Sequence, residues 1–133
     1  LEKKIKGDIL RKIIFKSAKR HEVPFLLGIS DIMLSFRRNS FSQKACCPTK
    51  MGEAFACGIP VIANKDVGDV NNIIKKLNGG EIVDLQNLKS IDNVINNIQS
   101  IKDKGGNELR SKSKNVFGLD KGIDQYRRVY QRL

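Results

Sequence analysis

The sequence predicts an α/β fold, a Rossmann-like parallel sheet with flanking helices, and three observations carry that expectation. Short β-rich apolar runs alternate with stretches of helical spacing, and helical crossovers between such runs make successive strands parallel. The chain has 133 residues, which suits one domain at roughly 100–200 residues each. Apolar residues make up 40% and charged residues 29%, a composition able to bury a core and unlike that of a disordered chain.

The elements follow in order. Ile13 to Phe15 is a brief β-rich run. Glu22 to Ser30 reads as a short helix with Pro24 in its first turn, where a missing N–H does no harm. Asp31 to Phe36 (DIMLSF) is a buried strand. Thr49 to Cys57 is a second helix, stopped by Gly58 and by Pro60, and Pro60 to Ala63 is the next strand. From Val67 to Leu77 the spacing of Val67, Val70, Ile73, Ile74 and Leu77 is helical, ending at Asn78, Gly79 and Gly80. Glu81 to Val83 is the fourth β run. The remainder is helical: Leu88, Ile91, Val94, Ile95, Ile98 and Ile101 share one face, Asn107 to Val116 follows, and Leu119 to Leu133 carries Ile123, Tyr126, Val129 and Tyr130. These closing helices are expected to cover one face of the sheet.

The charge and the cysteines limit the functional classes. Twenty-five Lys and Arg against fourteen Asp and Glu leave +11 at pH 7, which favours anionic partners such as phosphorylated ligands, nucleic acid or an anionic membrane. That excess is scattered, as on a solvated surface. Cys46, Cys47 and Cys57 cannot all pair within the chain and lack zinc-knuckle spacing, so they are expected as reduced, buried thiols with no metal. No apolar run reaches the roughly 18 residues of a membrane span, and LEKKIKGDIL has no secretory-type apolar stretch; a soluble, cytoplasmic protein is expected.

Parallel sheets place ligands beyond the carboxyl ends of their strands, where loops and helix N-termini converge. Segments 17–21, 37–49 and 64–69 meet that condition. The densest signal is CCPTKMGEAFACGIPVIA, residues 46–63. Pro48 and Thr49 stand where a helix begins, so the amides of Thr49, Lys50 and Met51 are expected as free donors for a phosphate, with Lys50 adding a cation. A plain N-cap at Thr49 and a solvated Lys50 are the alternative. Glu53 lies one position too far from Thr49 for a capping box and among apolar neighbours on a helix expected to be buried. There it needs partners, either the paired hydroxyls of a ribose or a lysine.

The string PTKMGEAFACGIPVIANKDVGDV resembles the C-terminal, nucleotide-sugar-binding domain of the group 1 retaining glycosyltransferases of GT-B fold, through Glu53, Ala56, Cys57, Gly58, Pro60 to Ala63 and Gly68. ISDIMLSF resembles the preceding family strand, LNGGEIVD the following one, and FGLDKGIDQYRRVYQRL the closing helix, so the likeness covers nearly all of residues 1–133. The resemblance implies a UDP- or GDP-sugar donor, with Glu53 on the ribose and the amides of Thr49 to Met51 on the diphosphate. It places the base within the loop of residues 16–23 and the Gly68 backbone beside the sugar diphosphate. It implies retaining glycosyl transfer without a bound metal, in surface polysaccharide or glycan synthesis. The acceptor, a glycan or lipid-linked glycan, would be held by a second, N-terminal domain.

Two departures from the family pattern stand out. The position of a second family glutamate is Ala45, and a GT-B enzyme has two Rossmann-like domains where 133 residues hold only one, with no early lysine assignable to the basic pair that neutralises the leaving diphosphate. A fragment that binds donor and transfers nothing alone is therefore expected, with no catalytic residue assigned. His21, the only histidine, is either a base or phosphate contact or simply exposed. Arg37 and Arg38 meet either phosphate or solvent. Asp66 and Asp69 read first as caps of the next helix. Peripheral contact with the inner face of an anionic membrane would suit the charge. The competing classes are a basic nucleic-acid-binding module, disfavoured because no basic-aromatic stripe occurs, and a non-catalytic GT-B-like interaction domain.

Overall fold

The computed structural model describes residues 7–38 and 40–132. The basic run over residues 1–6 and the expected helix end at Leu133 lie outside them. A three-stranded parallel sheet forms the centre: β1 (Met33–Ser35) pairs with β2 (Val61–Asn64), and β2 with β3 (Gly80–Val83). The register sets Leu34 beside Ile62 and Ile62 beside Glu81. Around the sheet lie helices α1 (Gly7–Leu10), α2 (Val23–Gly28), α3 (Thr49–Ala56), α4 (Val70–Leu77), α5 (Leu88–Asn96), α6 (Ile98–Lys102), α7 (Asn107–Phe117) and α8 (Leu119–Tyr130). The α/β class and the parallel sheet agree with the sequence reading.

Side-chain alternation on β2 builds two cores. Val61 and Ala63 face α3, α4 and α7, packing with Met51, Phe55, Val70, Ile74, Leu77 and Leu109. Ile62 faces the opposite way with Val83, Val94 and Ile101, and is covered by α5 and α6. Contrary to the sequence expectation, the closing helices do not share one face: α7 crosses back to pack on α3, where Gly52 leaves room for the Phe117 ring. Lys104, just after α6, ties that connection to β3 by donating to the Gly80 carbonyl (2.9 Å) and pairing with Glu81 (3.2 Å).

Three other expectations are corrected. Ile13 to Phe15 forms no strand; Ile14 is 88% and Phe15 60% exposed, and the outer edge of β1 stays unpaired among the described residues. The 88–101 segment breaks at Asn97 into α5 and α6, and only Val94 and Ile101 of its apolar face are buried. α8 packs chiefly on α7 and leaves Tyr126 and Tyr130 more than two-thirds exposed.

At the end of α3 the backbone conformation requires a glycine. Gly58 (φ 78°) ends α3 in a Schellman motif, with Ile59 N–H donating to Ala54 O and Gly58 N–H to Phe55 O. Its own carbonyl accepts from Gly106 N–H at 2.7 Å, joining this turn to the start of α7. A Cβ at Gly58 would sit 2.7 Å from the Gly106 oxygen, whereas one at Gly122, within α8, would meet nothing within 4 Å. Gly58→Ala should therefore lower the unfolding free energy by about 1–2 kcal/mol from the left-handed backbone, and further from the clash. Gly122→Ala should raise it by about 0.5–1 kcal/mol. Urea midpoints moving in opposite directions check the pair.

Candidate functional site

Helix α3 organises the site through its period. Met51, Gly52, Ala54 and Phe55 turn inward and are buried, which at 3.6 residues per turn rotates Lys50 and Glu53 onto the outer stripe. Glu53 is thus exposed, contrary to the expectation of a buried carboxylate; its apolar neighbours in sequence point the other way. Water solvates it, so burial supplies no reason for a partner. Among the described residues it forms neither an ion pair nor a side-chain hydrogen bond.

Its position supplies the reason instead. Glu53 and Lys50 line a cleft of about 570 Å³ between α3 and α2. Val23, Pro24 and Leu27 form its apolar wall, Met33 at the start of β1 lies in it, and Arg20 brings a second cation. Arg20 and Val23 fall within the 16–23 loop expected to frame a base. His21 occupies the same short 3-10 turn (Arg20–Glu22) but does not line the cleft; it is exposed. The turn is held by Lys19 N–H donating to the Glu22 carboxylate at 2.7 Å. Arg20 and Leu27 were not singled out from sequence, because nothing local distinguishes one basic residue among many or one apolar residue on a short helix.

The start of α3 departs from expectation at one donor. Pro48 is the N-cap and is buried, and the Met51 N–H donates to the Pro48 carbonyl at 3.1 Å. Met51 itself is wholly buried against the sheet, so it is a core residue and its amide is occupied. Thr49 and Lys50 are exposed and their amides have no partner among the described residues; Lys50 lines the cleft, whereas Thr49 does not.

Gly68 sits elsewhere. It lines a separate hollow of about 100 Å³ with Asp69 and the Lys44–Cys47 loop, which includes Ala45. Its positive φ of 39° and its closeness to the Cys46 carbonyl, which a Cβ would overlap at 2.1 Å, account for the glycine by packing. Asp69 holds the N-cap position of α4 without a side-chain bond, and Asp66 adopts φ 65°, so neither caps as expected. The cysteines are free but not buried in the core: Cys46 and Cys57 are half-buried and Cys47 is exposed. Partial desolvation, then Asp69 and Cys46 nearby, raises the Cys47 thiol above its ordinary value.

At the carboxyl ends of the strands a second cleft, of about 390 Å³, is lined by Phe36, Arg37, Arg38, Asn64, Lys65, Asp84, Leu85 and Gln86. Lys65 pairs with Asp84 at 2.8 Å. That hydrogen bond raises the lysine's pKa and is the largest cause lowering the carboxyl's, where the Gln86 N–H also donates to Asp84. No group of three or more His, Cys, Asp or Glu is placed to hold a metal among the described residues, and none of their helices is long and apolar enough to cross a membrane. No protein-family model, curated protein or solved structure matches the chain.

The sign of the linkage at this pair is definite. Asp84, with its carboxyl pKa lowered on folding, contributes stability above the ordinary carboxylate range and loses it as pH falls through the lowered value. Lys65, raised, contributes below the ordinary lysine range and loses it as pH rises through the raised value. Asp84→Asn should be less stable than wild type between about pH 5 and pH 9, the difference vanishing toward acid. Urea midpoints measured across pH test this, the asparagine still accepting from Gln86.

Proposed function

We propose that this chain is the donor-binding domain of a retaining glycosyltransferase of GT-B type, taking a nucleoside diphosphate sugar, UDP- or GDP-linked, in the cleft between α2 and α3. One observation carries the reading: Glu53, unpaired among the described residues, shares an apolar-walled cleft with Lys50 and Arg20. A carboxylate accepts from two hydroxyls at once, as the 2′ and 3′ hydroxyls of a ribose require. The apolar wall of Val23, Pro24 and Leu27 suits a flat base. Lys50, with its free amide, and Arg20 suit a diphosphate, where negative charge grows as the glycosyl bond breaks. The resemblance of residues 48–70 to that family points the same way. In this reading the acceptor glycan or lipid-linked glycan is presented by a second domain, and Arg20 takes the place that His21 was expected to fill.

A ribose-specific test separates this from a general basic surface. Wild type should bind UDP or GDP more tightly than the 2′-deoxy analogue, and Glu53→Gln should weaken the ribonucleotide about tenfold or more while abolishing the preference. Isothermal titration of both nucleotides against both proteins measures it. Equal affinity of wild type for the two sugars, or an unchanged ratio in the variant, removes the assignment. A steep salt dependence with no nucleotide selectivity would support a nucleic-acid module instead.

A further inference from the structure

We infer that the cleft at the carboxyl ends of the three strands is a second ligand site, separate from the α2–α3 cleft, which takes a phosphoryl group carried on a flat or apolar body. Its charge points to an anion. Arg37, Arg38 and Lys65 face one carboxylate, Asp84, and Lys65 already pairs with it, so the two arginines remain without a carboxylate partner among the described residues. Arginine offers a planar fork of donors that matches phosphate oxygens two at a time.

The floor of the cleft is built rather than incidental. Asn64, at the end of β2, is 5% exposed, and its Oδ1 accepts from the Arg37 N–H at 2.8 Å. Its amide nitrogen donates to the Lys65 carbonyl at 3.2 Å. A buried side chain thus fixes the chain leaving β1 to the chain leaving β2, and sets where Arg37 and Lys65 begin. The Lys65 N–H donates to the Val83 carbonyl at 3.1 Å, joining the third strand end to the same frame. Phe36 and Leu85, each close to half exposed, stand on two sides of the opening as apolar walls that phosphate alone would leave uncovered. The location is the one where parallel sheets present ligands.

The test uses the full 133-residue chain and amide NMR shifts, with inorganic phosphate and phenyl phosphate as probes. Saturable shifts are expected at Arg37, Arg38, Lys65 and Leu85, with phenyl phosphate binding at least about fivefold tighter than phosphate because its ring covers Phe36 and Leu85. Arg38→Gln should weaken both probes about tenfold, and Phe36→Ala should abolish the advantage of the ring; dispersed spectra show that each variant is folded. Glu53→Gln should leave these shifts unchanged. Shifts that never saturate, or that spread over all basic surfaces and vanish with modest salt, overturn the site. Loss of the same shifts in Glu53→Gln overturns its separateness. Failure of nucleotide binding with phenyl phosphate binding intact counts against the donor assignment and leaves this one standing.

Discussion

The packing of α3 against the sheet is the constraint on which the rest depends. Met51, Ala54 and Phe55 are each fully buried there, and Phe55 also meets the Phe117 ring from α7 at 6.2 Å between centroids. Once that face is committed, helical geometry leaves Lys50 and Glu53 no orientation but outward. The same commitment sets the helix C-terminus, because Gly58 and Ile59 close it by bonding back onto Phe55 and Ala54. A chemically suggestive carboxylate therefore reaches a cleft as a consequence of apolar burial one position to either side.

A second constraint acts at the opposite end of the strands. Parallel strands cannot be joined by tight turns, so their ends diverge into separate connections, and something must hold those connections together if they are to form a surface. Asn64 does this with one buried side chain, reaching from β2 to the Arg37 amide. The two clefts accordingly have different architectures. The α2–α3 cleft is a gap between helices with an apolar wall, whereas the cleft at the strand ends is framed by backbone and crossed by charge.

The sheet is narrow, and the apolar surface around it is unevenly covered. Leu34 on β1 is 61% exposed although its neighbour Ile62 is buried, because α5 and α6 lie over β2 and β3. α8 likewise turns Ile123, Tyr126, Val129 and Tyr130 toward solvent. The periodicity that marks these residues as an apolar face is real in both cases, but periodicity specifies only which residues share a face.

What the sequence determined by itself was the local pattern. The limits of α3, its stop at Gly58, the β2 and β3 runs and the helical spacing before Leu77 all follow from backbone preference and period, which act over a few residues. The choice between candidate site residues was not local. Met51 and Glu53 stand two positions apart, and only the placement of the sheet decides that one is core and the other faces a cleft. His21 and Arg20 are adjacent, and the direction of a single short turn selects Arg20. Ile13 to Phe15 has strand composition yet lies exposed and unpaired, since a strand forms only where the rest of the chain brings the run alongside a partner. Asn64, read simply as the residue after a strand, became a crosslink because the β1 end lies beside it, 27 positions earlier in the chain. Such contacts between distant segments are decided by the global packing of the chain, which no window of sequence contains.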